Sequence, residues 1–295
     1  MSKTTKLLLA IGGFYLGILI LLVVLFGVHG QKNTEFQIQN EFKLTNWVKL
    51  GPFSINRAVV YLFLAAVLTI VTMVYIARRM QAKPNRVQTA VETIYALMRE
   101  NITRGNMDDA MAARWFPFIG ALFLFIWFSN LIGYLPLPTN SEETFNLFGA
   151  HIPSFALYAA TANVSVPLIL AVVVFIAFNS EGIKIHGFRG YVKSLIPQGV
   201  GKMVILIAPL EIISTFMRLI SLTIRLFANI LAGHMIILFM AGGLGVILGL
   251  AWLGWFSFPI GVAVYMFELG LIATLQAFIF ATLSAIYLGG ATSSH

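Results

Sequence analysis

Residues 203–241 form an apolar stretch of 39 residues, yet Glu211, Arg218, Arg225 and His234 stand inside it. As a helix rising 1.5 Å per residue, it reaches about 58 Å, nearly twice the ~30 Å hydrocarbon core of a bilayer. Such a segment either breaks, with Pro209 the nearest cause, or crosses at a tilt well beyond the ~20° average. A second overlong stretch, residues 246–290, follows the glycines Gly242, Gly243 and Gly245 and carries one proline, Pro259. Two overlong neighbours joined by a short turn are expected to form a steeply tilted helical hairpin. An arginine at the centre of a membrane helix costs at least ~2.5–3.5 kcal/mol on insertion scales, so its retention points to use.

The whole chain agrees with this reading. Its 295 residues are 59% hydrophobic and only 10% charged, against about 25% charged in soluble domains. An all-α integral membrane protein is expected. The net charge of +8 is spread over loops beside apolar runs, which suits lipid headgroups and the setting of topology rather than nucleic acid. With no cysteine, disulfides and thiolate metal sites are excluded.

Three regions are expected along the chain: 1–30, 31–57 and 58–295. Residues 7–28 are an uncharged run of 22 behind Lys3 and Lys6. That run is long enough to span a membrane and longer than the ~7–15 residues of a signal peptide core, so it reads as a retained span or a cleaved signal. A polar loop follows to Arg57, with a turn at Gly51-Pro52. Further spans are expected over 58–77, 115–135 and 155–178, the last interrupted by Asn163, Ser165 and Pro167. With the tilted hairpin this makes about six membrane segments. Residues 78–114 hold seven arginines and lysines and residues 136–154 none, which predicts a cytoplasmic side for the first and an external side for the second. Both termini are then cytoplasmic if the first segment is retained. Val87, Val91, Ile94, Tyr95, Met98 and Ile102 recur at helical spacing, opposite Arg86, Gln88, Glu92, Arg99 and Glu100. This predicts a cytoplasmic amphipathic helix lying along the headgroups. Lys184, His186, Arg189 and Lys193 mark a second cytoplasmic loop.

Signatures of soluble enzymes are missing. Gly199-Val200-Gly201-Lys202 lacks the frame of a phosphate loop, there is no HExxH or GxSxG, and no cofactor or metal is expected. Glu142, Glu143 and His151 share an external loop without metal-ligand spacing. Polar content concentrates in the hairpin. Glu211, Arg218 and Arg225 are seven apart and share a stripe with Ser214, Ser221 and Asn229, while His234 lies half a turn away. On the second helix Glu268 is the one acid, accompanied by Thr274 and Gln276. Arg218 can snorkel or pair with Glu211, and Glu268 with His234 can simply fix the hairpin. Arg225 has no acid at three or four residues' distance, so no local ion pair explains it. Gly12, Gly13, Gly17, Gly245 and Gly249 read as notches for helix packing. A stand-alone secondary transporter of an anionic substrate is the alternative, but no inverted repeat is visible. A membrane scaffold for assembly is a further one.

Arg225-Leu226-Phe227-Ala228-Asn229, Ala232-Gly233-His234, Leu275-Gln276-Ala277-Phe278-Ile279-Phe280 and Tyr287-Leu288 resemble subunit a of the F-type ATP synthase membrane sector. The resemblance covers about 51–295. It implies a stator subunit with two ion half-channels that couples proton translocation to rotation of a c-subunit ring, without catalysing bond chemistry itself. By position, Arg225 matches the arginine facing the ring carboxylate, and Asn229, Gln276 and Ser221 match polar residues near it. His234 and Glu268 resemble a pair in the external half-channel, and Glu211 an acid of the cytoplasmic path. The implied partners are the c-ring, the b-subunit stalk, the other synthase subunits and membrane lipid, in a bacterial plasma membrane. This sequence departs from the pattern in two ways. Glu268 precedes Gln276 by eight residues rather than seven, a turn of about 100° on an α-helix, and residues 7–28 are additional to five spans.

Overall fold

The computed structural model describes residues 3–27, 44, 46–50, 53–81, 83–147, 150–194 and 204–292. The end of the expected first segment at Val28, the Gly51-Pro52 turn and residues 199–202 lie outside these. The protein is built of helices, with two small antiparallel β-hairpins. Among the described residues, five helical stretches are long and apolar enough to cross a membrane: Arg57–Arg78, Asp109–Gly133, Ser165–Lys193, Ile207–Leu238 and Trp252–Ala291. The N-terminal helix α1 (Lys3–Phe26) adds 24 residues. The chain divides into two compact units, one of Met1–Lys43 with Ala232–Gly270 and one of Leu44–Leu231 with Leu271–His295.

In the larger unit, strands β1 (Asn46–Leu50) and β2 (Phe53–Asn56) pair and lead into α2 (Arg57–Arg79). The Asn56 side chain accepts a hydrogen bond from the Val59 N–H at 3.0 Å, satisfying one of the amides that a helix start leaves without a partner. Asn85 does the same for Gln88 at 2.8 Å and starts α3 (Arg86–Ala96), which widens into a π-helical turn, Leu97–Arg104. The expected amphipathic face is only partly right. Met98 and Ile102 are fully buried, but Val87 is exposed and Gln88 is buried. Gln88 turns inward because its amide exchanges hydrogen bonds with the backbone of Gln81 and donates to Glu92.

Helix α4 (Asp109–Gly133) begins six residues before the expected third span, with Asp109 in its first turn where the helix dipole favours an acid. The segment expected to be an external loop is instead a hairpin of β3 (Leu137–Leu147) and β4 (Ala150–Ala156). The fourth span starts later than its apolar run. A buried 3₁₀ turn, Ala160–Ala162, precedes α5 (Ser165–Ser194), and Asn163 accepts from the Ser165 N–H at 3.0 Å. Pro167 falls in the first turn, where a missing N–H costs nothing. The basic residues after Phe178 form no loop, because α5 continues through them with a break at Gly187, whose φ of 69° suits glycine.

Helix α6 (Val204–Leu238) is 35 residues long and runs through Pro209 unbroken, so the proline near its start does not divide the overlong segment. At 1.5 Å per residue it is about 52 Å long. Helix α9 (Ala273–Thr292) packs on α4 and α5. The smaller unit holds α1, the last turns of α6, a π turn (Phe239–Gly243), α7 (Leu244–Leu248), α8 (Ala251–Phe267) and the start of another π turn, Glu268–Ile272. Gly249 ends α7 in the left-handed region. One close-approach glycine here is Gly245, where an added Cβ would come within 2.9 Å of the Gly254 amide nitrogen. A Cβ built on Gly12, Gly13 or Gly17 meets nothing within 4 Å, so these are not packing notches within their own unit.

An ion pair ties α4 to α5. Arg114 grips both carboxylate oxygens of Glu181, at 2.7 and 3.2 Å, and Lys184 lies 3.9 Å away. Glu181 is only 2% exposed while the Arg114 side chain is more than half exposed. Removing the arginine strands a buried carboxylate, whereas removing the acid frees a guanidinium that solvent can hold. Arg114→Met should therefore destabilise the subunit by roughly 1–3 kcal/mol, less than a fully buried pair would lose, and Glu181→Gln by less. Thermal melting of the two variants checks the order.

Candidate functional site

Arg225 is a charge inside an apolar helix with no acid three or four residues away. In the larger unit, the stripe expected on α6 carries Ser221, Arg225 and Asn229 on consecutive turns. Ser221 and Asn229 are exposed and Arg225 is half-buried. Its Nη2 lies 3.5 Å from the Ser221 hydroxyl oxygen, a long contact. Among the described residues Arg225 makes no ion pair. Leu210, Ile213, Met217, Ile220 and Ile224 are exposed on the same helix. The guanidinium is thus half-exposed on a membrane-length apolar helix.

Arg218 behaves differently. It forms no ion pair with Glu211 and instead lies over the Tyr287 ring on α9, 5.5 Å from its centroid, a cation–π contact. Glu211, about two turns inside α6, is half-buried; its carbonyl accepts from the Thr215 hydroxyl at 3.0 Å. Gln276 is 5% exposed on α9, where Ala273, Ala277 and Phe280 are buried with it.

What holds α9 in place is a set of buried polar pins. Trp127 donates through its indole N–H to the Thr274 hydroxyl at 3.0 Å, and Asn130 donates to the Ala273 carbonyl at 3.2 Å. The Asn130 oxygen in turn accepts from Thr161 at 2.8 Å, linking α4, α9 and the 3₁₀ turn. Asn130 and Thr161 are fully buried. Sequence reasoning placed no role on Trp127, Thr161 or Arg57. Arg57 is 1% exposed, with its guanidinium 4.6 Å from the Tyr158 ring. The available signal was the residue type itself, a polar group at the edge of or inside an apolar run.

The smaller unit brings the Glu268 carboxylate onto Gly233, the residue before His234. A Cβ built on Gly233 would overlap the carboxylate carbon and come within 2.7 Å of Oε1. His234 and Glu268 are both buried, at 1% and 8% exposed. The glycine of Ala232-Gly233-His234 is therefore the floor on which the acid rests. Glu268 also opens the π turn Glu268–Ile272. A π turn holds about one residue more than an α turn, so the backbone between Glu268 and Gln276 is not an unbroken α-helix. No group of three or more His, Asp and Glu able to hold a metal occurs among the described residues.

The sequence pattern of the family described as ATP synthase A chain matches residues 59–289. The chain is 35% identical to ATP synthase subunit a of Maricaulis maris over 78% of its own length and 86% of that protein's. With the Parvibaculum lavamentivorans ATP synthase subunit a it shares 34% identity over 70% of its length and 72% of the relative. With that of Anaeromyxobacter dehalogenans it shares 30% over 89% of its length, spanning 64% of the longer relative.

The contact between Gly233 and Glu268 makes a measurable pair. Gly233→Ala should cost about 1–3 kcal/mol of thermal stability through overpacking. In a Glu268→Ala background, where the carboxylate is gone, the same change should cost far less, and a double-mutant cycle reads the coupling.

Proposed function

This chain belongs to the ATP synthase A chain family, and from that premise we propose that it is the stator of a rotary proton path, with Arg225 as the charge past which a c-ring carboxylate must move. The observation that carries the reading is the open, unpaired Arg225 on a membrane-length helix. A guanidinium stays ionised at any physiological pH, so the positive charge is permanent. A carboxylate arriving within a few ångströms is favoured as the anion, and one turned toward lipid is favoured as the neutral acid. A ring carboxyl therefore releases its proton near Arg225 and takes one up before re-entering lipid.

Ser221 and Asn229, one turn to either side, are polar neighbours that can orient the guanidinium or solvate the ring carboxylate. Gln276 adds a buried amide from α9. His234 and Glu268 supply a titratable pair suited to the external half-channel, and Glu211 an acid suited to the cytoplasmic one. With one half-channel opening to each side and the arginine between them, protons cross only as the ring turns. Each charge moving through 100 mV provides about 2.3 kcal/mol for rotation. The subunit carries out no bond chemistry; synthesis takes place on a soluble head. The partners are the c-ring and the b-subunit stalk in a bacterial plasma membrane, with both chain ends cytoplasmic if the first segment is retained.

Arg225→Ala should abolish coupled ATP synthesis in membrane vesicles while the complex still assembles; an assembled variant with full coupled synthesis overturns the proposal. Substituting His234 or Glu268 should slow proton flux partially, and unchanged flux in both assigns them to structure alone. Gentle purification should bring an oligomeric ring with the chain, which a stand-alone transporter would not do.

A further inference from the structure

Helix α8 contains a defect that it cannot repair itself. Pro259 has no N–H, and in an α-helix the carbonyl four residues earlier is the one left without its donor. That carbonyl belongs to Trp255. Lipid offers no replacement hydrogen bond, and a carbonyl left bare in hydrocarbon is costly. Within the same compact unit, Tyr15 of α1 donates its hydroxyl to the Trp255 carbonyl oxygen at 3.0 Å and lies 3.1 Å from that of Phe256.

The need is mutual. In the apolar run 7–28, Tyr15 is the one side chain with a hydrogen-bonding group. Its neighbours Phe14, Leu16, Ile18, Ile20 and Leu21 are exposed apolar residues suited to lipid. Tyrosine in membrane helices prefers the interface, where its hydroxyl reaches water. Tyr15 stands instead nine residues past Lys6, about 13 Å along the helix, at a depth where only protein can serve it. One orphan donor and one orphan acceptor therefore meet, on segments 240 residues apart in the chain.

We propose that α1 is a retained membrane helix of the mature protein, docked on α8 through Tyr15, whose hydroxyl stands in for the N–H that Pro259 lacks. A cleaved signal has no reason to answer a defect in the last third of the chain. The residues matched by the family model begin at 59, so α1 lies outside the matched region. The inference does not depend on the proton path.

Two measurements on the subunit purified from its native membranes test it. N-terminal sequencing and intact mass should find residues 3–27 present; a mature N-terminus beyond residue 28 overturns the proposal. Tyr15→Phe should lower the temperature of half-unfolding by a few degrees. In a Pro259→Ala background, which returns an N–H to the Trp255 carbonyl, the same change should shift it by less than half as much. No shift with Tyr15→Phe alone, or an equal shift in both backgrounds, overturns the pairing. If Pro259→Ala fails to accumulate, the terminal sequence and the single Tyr15→Phe shift still decide.

Discussion

A hydrogen-bonding group placed in hydrocarbon must find its partner in protein, and much of this structure can be followed from that requirement. The backbone meets it by becoming helix almost everywhere that is apolar. Side chains meet it by crossing between helices: Trp127 to Thr274, Asn130 to Ala273 and Thr161, Arg114 to Glu181. In membranes such bonds have no hydrophobic effect between helices to assist them, so packing and polar pins do the holding. Each pin also fixes a rotation, because a donor must face its acceptor. The orientation of α9, and hence of Gln276, is set in this way. Against these pins Arg225 stands apart, since its side-chain contact to Ser221 is a long one.

The two arginines seven residues apart on α6 show how context separates like residues. Arg218 finds the Tyr287 ring and is accounted for within the chain. Arg225 has a serine at 3.5 Å and open surface. Helical spacing puts both on one stripe, and only the packing of α9 tells them apart.

Much of the architecture is legible in the sequence, because the bilayer sets a length scale that apolar runs must meet. The overlong α6, the position of Arg225 and the helix after Pro84 follow from hydropathy and period. Pairings across the fold do not. Arg114 and Glu181 are 67 residues apart, and Trp127 and Thr274 are 147 apart, and periodicity is silent on which distant groups meet. The β3–β4 hairpin is hidden because its strands lie in a charged and proline-bearing stretch that reads as loop. The course of α5 beyond Phe178 is missed for a related reason, since basic residues signal the membrane edge and say nothing of where a helix stops. The eight-residue spacing of Glu268 and Gln276 is counted in the sequence on an α-helix, whereas the chain places a π turn between them, which periodicity does not reveal.

That last point bears on how such a chain can change length. An inserted residue in an α-helix rotates everything beyond it by about 100°, and in a bundle pinned by buried hydrogen bonds that rotation breaks every pin downstream. A π turn confines the insertion to one widened loop of backbone and leaves both flanking faces as they were. The described residues contain three of them, at Leu97–Arg104, Phe239–Gly243 and Glu268–Ile272. These turns are the places where the protein can gain or lose a single residue without disturbing its helix faces, like expansion joints in an otherwise rigid frame.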